Sequence, residues 1–207
     1  SPFDDAYGAS LFFAPKLTDL ADVALVSSAR GSRFSLDTRV HPQWAKDQIA
    51  RLVVANGGSA LVLSATVEAG KLYVNTLRRV IADAGLDLAV HSQWDGRDAR
   101  QTVADWRDDH ASVLVGTRSM MTGVDAPGQT CSLVIIDRAP RSAGNVVDDA
   151  RVEQIMAAQQ VSKWAADRLV YVADAALLLE RTAGRLVRSG TGSGSVVCLD
   201  TRLAKSS

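Results

Sequence analysis

The sequence predicts an α/β protein in which helices cover a parallel β-sheet, and three observations support this fold class. The chain has 207 residues, which is enough for one sizeable core and few for two. Hydrophobic residues make up 47% and charged residues 22%, so a disordered, collagen-like or coiled-coil chain is excluded. Short apolar runs alternate with longer segments of helical period, a pattern typical of βα units.

Six short apolar runs are predicted to be strands. They cover residues 10–14, 60–64, 88–91, 112–116, 133–137 and 195–199. Strands that helices cover on both faces are apolar along their whole length, which is the pattern of most of these runs. The Gly/Ser-rich segment 190–195 predicts a flexible surface loop before the last strand.

Helical spacing of apolar residues predicts the helices. The first covers residues 42–56, with Pro42 in its first turn and Gly57 just past its end. The second covers residues 68–84 and stops at Gly85, and the third covers residues 97–108. Residues 145–188 carry no strand pattern and predict two or three helices with a break near residues 170–173.

The charge balance restricts how the chain contacts nucleic acid. It has 23 Lys and Arg residues against 23 Asp and Glu residues, so its net charge is zero. Free-standing nucleic-acid binders usually carry a basic excess. Any contact with nucleic acid is therefore expected to be local.

Cysteine usage and hydropathy indicate a cytoplasmic protein. Cys131 and Cys198 lie far apart, each in an apolar run, which predicts buried reduced thiols rather than a disulfide or a paired metal site. No apolar stretch approaches the ~20 residues that span a bilayer, and no signal segment follows Ser1. The chain starts without methionine in sequence of structured character, so we expect a fragment of a larger protein.

Residues 65–72 (ATVEAGKL) approach a phosphate-binding loop. They follow a predicted strand, open a predicted helix and contain Gly70 and Lys71. Ala65 replaces the first glycine of such a loop, and Leu72 replaces the residue that would ligate Mg²⁺. An ordinary strand-to-helix turn is favoured, and an independent phosphate-loop enzyme that uses Lys71 stays an alternative.

A row of arginines marks the last predicted helix. Arg181, Arg185 and Arg188 follow i, i+4, i+7 spacing on a face separate from the apolar stripe. Like charges on one face repel, which indicates an anionic partner. Gly184 costs about 1 kcal/mol relative to Ala in a helix, so a close approach to its backbone is expected. A solvated helix face is the alternative interpretation.

Polar residues follow the predicted strand at 112–116. Thr117, Arg118 and Ser119 come directly after it, and residues 123–128 (GVDAPG) come next. Open α/β sheets bind ligands at the carboxyl ends of their strands, so this segment is a candidate binding site. A Gly/Pro turn capped by Asp125 is the alternative.

Placed together, the last two segments resemble motifs V and VI of superfamily two helicases of the DinG/XPD type. Residues 181–188 (RTAGRLVR) match the Gly and both Arg positions of the family's Gln-x-x-Gly-Arg-x-x-Arg. Gly116-Thr117, Ser119 and residues 123–128 occupy the places of motif V. Residues 1–4 (SPFD) and 199–203 (LDTRL) are similar to two further family segments, so the resemblance spans essentially the whole chain.

This resemblance implies a three-layer RecA-like fold of the P-loop NTPase type. It identifies residues 1–207 as a single second motor lobe, a piece of an ATP-dependent DNA helicase with 5′-to-3′ polarity. In that family the first lobe carries the phosphate loop, the Mg²⁺ site and often an iron-sulfur cluster. ATP with Mg²⁺ would therefore be held mainly by the N-terminal lobe, with any cluster upstream, and this chain alone would be inactive. The implied partners are single-stranded DNA and the N-terminal lobe, with no membrane.

The resemblance also implies roles for particular residues. Arg185 and Arg188 would reach the γ-phosphate of ATP as arginine fingers. Gly123, Asp125, Arg181 and Gly184 would lie at the ATP cleft. The DNA backbone would be gripped by five residues, namely Ser64, Thr66, Thr117, Arg118 and Ser119, through contacts that do not read bases.

Three departures from the family pattern bear on activity. Arg181 stands where the family has Gln, and Thr122 stands where motif V has Glu, so a weakened ATPase is one consequence. Residues 137–141 lack the family's Leu-Pro-Phe. The alternative function is therefore a degenerate, non-enzymatic lobe that binds nucleic acid or another protein.

Histidines and tryptophans add weaker predictions. His41, His91 and His110 lack metal or catalytic spacing and are predicted at surface or cap positions. Trp44 and Trp106 fall in amphipathic helices and are predicted in the core. Trp94 follows a strand in a loop and is the one candidate for base stacking.

Overall fold

A computed structural model describes residues 25–27, 34–36, 39–117, 120, 131–138, 146–163, 165–167, 169–170 and 194–200. The strand predicted at 10–14 lies outside these residues, as does the loop at 190–193. The first described elements are β1 (Leu25–Ser27) and β2 (Phe34–Leu36), which pair antiparallel. With three residues each, these strands are too short to leave a pattern in the sequence.

The central feature is a five-stranded sheet in which every pairing is parallel. Its strands are β3 (Ala60–Ser64), β4 (Ala89–Ser92), β5 (Ser112–Thr117), β6 (Leu133–Ile136) and β7 (Ser195–Cys198), in the order β4-β5-β3-β6-β7. The predicted parallel sheet is confirmed, and β3 has the predicted bounds. The other four strands differ from prediction by one residue at one end or at both.

The described helices lie close to their predicted positions. They are α1 (Val40–Ala55), α2 (Val67–Asp83), α3 (Ala99–Asp108) and α4 (Val146–Gln159). Gly57 adopts a positive φ of 69° just past α1, as the sequence indicates. Among the described residues, no helix is both long enough and apolar enough to cross a bilayer.

Helix α4 ends earlier than the sequence suggests. Gln160 follows it with a φ of 52°, a left-handed conformation that does not continue a right-handed helix. Helical residues recur between positions 163 and 170. A break at 160–162 therefore precedes the one predicted at 170–173, which lies almost wholly outside the described residues.

Apolar residues cover both faces of the sheet. On one face, Val62 of β3 packs with Ile49 of α1 and Leu77 of α2. On the opposite face, Leu61 and Leu63 pack with residues from outside those helices, including Leu114, Val134, Cys131 and the fully buried Trp106 of α3. Successive residues of β3 thus face opposite layers, which gives the three-layer α/β arrangement.

The predicted core residues are largely confirmed. Trp106 is fully buried, and Trp44 is partly buried against the α1/α2 face of the sheet. Cys131 is buried, and burial raises the pKa of its thiol to about 12, so it stays protonated. Cys198 is half-buried and packs against the same cluster as Cys131, on the face of the sheet opposite α1 and α2.

Candidate nucleic-acid interface

The carboxyl ends of the central strands bring polar side chains to one edge of the sheet. Ser64 ends β3 and Thr117 ends β5, and the two are partners in the parallel register. Asp137 follows β6 on the other side of β3, and its backbone N–H donates to the Leu63 carbonyl at 3.1 Å. Two residues that the resemblance assigns to DNA therefore lie side by side at the edge where open sheets bind ligands.

Thr66 caps the helix that follows β3. Its backbone is extended, with φ −134° and ψ 156°, and its hydroxyl accepts a hydrogen bond from the Ala69 N–H at 3.2 Å. Thr66 is half-buried, whereas Ala65 and Val67 on either side are exposed. The turn from β3 into α2 therefore lies at the surface of the carboxyl edge.

Asp137 is the buried polar centre of this edge, with only 1% of its surface exposed. Its two carboxylate oxygens accept from the Ala65 N–H at 3.0 and 3.1 Å. The Tyr73 hydroxyl donates to Oδ2 at 3.1 Å. His41 Nε2 lies 2.8 Å from the Asp137 carbonyl oxygen, and because a carbonyl only accepts, this nitrogen carries the proton. One residue thus joins β6 to α1, α2 and the β3–α2 turn.

Burial sets the ionisation of this cluster. Removal from water raises the pKa of Asp137 from 3.8 to about 6, although the hydrogen bonds from Ala65 and Tyr73 lower it. Burial and the neighbouring Asp137 carboxylate raise the pKa of Tyr73 far above its usual value. Tyr73 therefore remains a protonated donor to Asp137.

Trp94 occupies the space that Gly70 leaves open on α2. A Cβ at Gly70 would overlap the Trp94 ring and would lie 2.6 Å from Ser64 Oγ. Ser64 is 3% exposed, and its hydroxyl lies 3.4 Å from the Gly116 carbonyl. In this arrangement the Ser64 hydroxyl lies beneath the surface, so reaching a DNA phosphate requires a change in its surroundings. Trp94 itself packs partly buried against the core.

Gln93 holds the end of β5. Its Oε1 accepts from the Thr117 N–H at 2.8 Å and from the Thr117 hydroxyl at 3.0 Å. A Cβ at Gly116 would lie 3.2 Å from the same oxygen and 2.5 Å from Met120 Cγ. Gly116 is therefore required by close packing at the point where β5 ends.

A match to a family model over most of the chain decides the family. Residues 49–207 match the helicase C-terminal domain family. The chain belongs to this family. It is 33% identical over 158 residues, or 76% of its length, to the ATP-dependent helicase DinG of Mycobacterium tuberculosis. It is also 36% identical over 93 residues, or 44% of its length, to the ATP-dependent DNA helicase YoaA of Haemophilus influenzae.

This helicase C-terminal domain corresponds to a small part of its relatives. The aligned segment spans 22% of the length of the Mycobacterium DinG and 14% of the Haemophilus YoaA. The match confirms the resemblance to the DinG type, and the parallel sheet agrees with a RecA-like lobe.

The β3–α2 turn of this helicase lobe does not resemble a phosphate loop. The Ala65 N–H, which would face a bound phosphate, donates to the internal Asp137 carboxylate. The Ala69 N–H is directed at the Thr66 hydroxyl, and Gly70 accommodates the Trp94 ring. Lys71 is exposed. The ordinary turn that the sequence favours accounts for all of these contacts.

Most of the other predicted site residues lie outside the described residues. These are Arg118, Ser119, Gly123, Asp125, Arg181, Gly184, Arg185 and Arg188. Their roles in the helicase lobe stay predictions. Of the predicted DNA-binding residues, the structure describes Ser64, Thr66 and Thr117, and it places all three at one edge.

Three residues at this edge, Gln93, Tyr73 and Asp137, were not assigned a role from the sequence. Gln93 accepts a hydrogen bond from Thr117, and Tyr73 donates one to Asp137. No local sequence pattern predicts either contact. His41 was predicted at a surface or cap position, and this prediction is wrong. The residue lies in the first turn of α1, but it is only 1% exposed. The sequence signal that could have identified Asp137 is its position as a polar residue at the end of an apolar strand.

A second concave surface lies beside the edge strand β4. It encloses about 360 Å³ and is lined in part by Arg78, Asp95, Arg97 and Asp105. Arg78 pairs with Asp95 at 2.7 Å, and Arg97 pairs with Asp105 at 3.2 Å. Arg78 also donates to the Val90 carbonyl and so covers part of the exposed edge of β4. Among the described residues that line the groove, these four charged side chains are therefore paired with one another.

The buried carboxyl predicts a pH-dependent stability. Because the folded state raises the pKa of Asp137 from 3.8 to about 6, its proton stabilises the fold fully below pH 3.8, and this contribution is lost as the pH rises through about 6. In Asp137→Asn the group no longer titrates. We expect the free energy of unfolding of the wild type, relative to this variant, to fall by on the order of 1 to 3 kcal/mol across that window.

Urea unfolding of both proteins at pH 4, 5, 6 and 7 measures this difference. Asp87→Asn, at an exposed aspartate between α2 and β4, is the matched control and should follow the wild type. Parallel pH profiles for the wild type and Asp137→Asn would contradict the prediction.

The contact between Gly70 and Trp94 predicts strong coupling. Gly70→Ala should destabilise the fold by about 1 to 3 kcal/mol because the new methyl group overlaps the indole. In a Trp94→Ala background the same change should cost less, because the overlap with the indole is gone and only the close approach to Ser64 Oγ remains. A double-mutant cycle of urea unfolding measures the coupling, and additive effects would refute the contact.

Proposed function

We propose that this chain is the second motor lobe of an ATP-dependent DNA helicase of the DinG type, with 5′-to-3′ polarity. Membership of the helicase C-terminal domain family over residues 49–207 carries the proposal. The adjacent carboxyl ends of β3 and β5 support it, because they carry Ser64 and Thr117, two residues that the resemblance assigns to DNA. The relatives are named as ATP-dependent helicases. For the protein that contains this chain, helicase activity is our proposal.

The DNA grip is proposed at the carboxyl edge of the sheet. Thr66 lies on the exposed β3–α2 turn, and Thr117 begins the segment that continues into Arg118 and Ser119. Hydroxyls, amides and one guanidinium contact phosphate oxygens without reading bases. Such a local grip agrees with a chain of zero net charge. Ser64 is buried and would join the grip only after its surroundings change.

The nucleotide side of the lobe is proposed from the motif match alone. Arg185 and Arg188 would stabilise the charge that develops on the transferring phosphoryl oxygens. Gly123, Asp125, Arg181 and Gly184 would line the cleft. Planar guanidinium groups suit this task because they donate two parallel hydrogen bonds to phosphate oxygens.

ATP with Mg²⁺ would be held mainly by an N-terminal lobe, which we propose as a partner. The β3–α2 turn agrees with this proposal, because the Ala65 N–H donates to the Asp137 carboxylate rather than to a ligand. An iron-sulfur cluster would likewise lie upstream. We therefore expect the 207-residue chain alone to hydrolyse no ATP and unwind no DNA.

Replacement of a proposed finger tests the enzymatic function. In the complete encoded protein, Arg188→Ala should lower DNA-stimulated ATP hydrolysis by about 10³-fold or more, because the transition-state charge loses its donor. Arg188→Lys should remain strongly impaired, since an ammonium lacks the planar fork. The measurement is steady-state ATPase with saturating single-stranded DNA, together with unwinding of substrates tailed at the 5′ or the 3′ end.

Arg79→Ala, on the exposed face of α2, is the matched control and should retain full activity. Loss of ATPase in Arg188→Ala with unchanged melting temperature supports the helicase lobe. The departures at Arg181 and Thr122 favour one other candidate, a non-enzymatic binding module. Absence of DNA stimulation in the wild type, or an unaffected Arg188→Ala, would support that module and contradict the helicase.

A further inference from the structure

The loop that follows β4 connects the two segments proposed to hold DNA. Trp94 packs into the space beside Gly70, three residues into the helix that follows the β3–α2 turn. Gln93, next to it, contacts the end of β5 at Thr117. One short loop therefore contacts both segments. Trp94 has been considered only for base stacking, and Gln93 has not been assigned a role in DNA binding.

The contacts of Gln93 determine how β5 ends. Its backbone N–H donates to the Val115 carbonyl at 3.1 Å, which extends the β4–β5 ladder by one residue. Its side chain then reaches the next residue pair along β5, where Oε1 accepts two hydrogen bonds from Thr117. Because a backbone N–H is an obligatory donor, the oxygen and not the nitrogen of the Gln93 amide faces Thr117.

This arrangement directs both donors of Thr117 inward. A phosphate oxygen only accepts hydrogen bonds, so Thr117 has no donor turned toward DNA while its N–H and O–H both point at Gln93. The residue instead becomes a fixed point from which Arg118 and Ser119 continue. Arg118 and Ser119 follow Thr117 directly in the chain.

Gln93 is itself held firmly, as a positioning group must be. The Trp94 N–H donates to the buried Ser92 Oγ at 3.1 Å, and the indole is packed beside Gly70. Met120 also packs against Gly116, next to the Gln93 oxygen. The Gln93 oxygen thus lies at a strand end where Gly116 has no room for a side chain.

We propose that Gln93 is a positioning residue for single-stranded DNA binding, which acts through Thr117 to hold the start of the segment containing Arg118 and Ser119. This inference rests on the proposed helicase function. Gln93 need not touch the DNA. Its oxygen fixes Thr117, and Thr117 sets where the DNA-contacting residues leave the sheet.

Three variants of the complete encoded protein isolate this role. Gln93→Met keeps the length of the side chain but removes the acceptor, and Gln93→Glu keeps an acceptor oxygen in the same place. Gln101→Met is the matched control, because Gln101 is an exposed glutamine on α3 that bonds to Asp105 away from the edge. Hydrogen-exchange mass spectrometry of the segment 112–117 reports the Thr117 amide without reference to DNA.

We expect Gln93→Met to speed exchange at Thr117 and to weaken binding of fluorescent oligo(dT) by about tenfold, the scale of one lost buried hydrogen-bond pair. In the ATPase assay the KM for DNA should rise while kcat at saturating DNA is unchanged. Gln93→Glu should restore the slow exchange and most of the affinity. Gln101→Met should match the wild type in every measurement.

The outcomes separate this inference from the function on which it rests. DNA binding by the wild type that Gln93→Met leaves unchanged overturns the positioning role and spares the helicase assignment. Faster exchange with unaltered DNA affinity also overturns it, because Thr117 would then be structural only. A wild type that binds no oligo(dT) overturns the proposed function and this inference together.

Discussion

A buried carboxylate at the end of β6 holds the carboxyl edge of this lobe together. Asp137 accepts from the Ala65 N–H and the Tyr73 hydroxyl, and its carbonyl accepts from His41. Four elements, namely β6, α1, α2 and the β3–α2 turn, therefore meet at a single residue. A buried charge is tolerated only when it is well paired, so these hydrogen bonds and the position of the turn depend on one another.

The same carboxylate explains why the β3–α2 turn differs from a nucleotide-binding loop. In a phosphate loop, free backbone N–H groups and helix N-terminal charge attract a phosphate. Here an internal anion already occupies the Ala65 N–H, and the Thr66 hydroxyl accepts from the helix terminus. The turn connects a strand to a helix at the ligand-binding edge, but its backbone amides donate hydrogen bonds to groups within the protein. This agrees with the proposed function, in which the lobe contributes side chains to a nucleotide that another lobe holds.

Sequence reasoning succeeded where local patterns carry the information. The strand β3 is apolar throughout and buried on both faces, so its bounds were predictable from composition alone. The resemblance assigned both Ser64 and Thr117 to DNA, and the structure shows that the two are partners in the parallel register. The side chain of His41 was placed wrongly, because its contact with Asp137 joins residues 96 positions apart in the chain. Gln93 went unnoticed for the same reason, since its partner Thr117 lies on another strand.

The sequence by itself determined the alternation of strands and helices, the family and the identity of the residues that carry the proposed chemistry. Apolar periodicity and motif spacing are local properties, and they can be recognised without knowledge of the fold. Only the tertiary structure decided which glycine makes room for Trp94, which carboxylate occupies the β3–α2 turn and which glutamine fixes the end of β5. Those contacts depend on the register and packing of distant segments, and a parallel sheet brings such segments together only after it has folded.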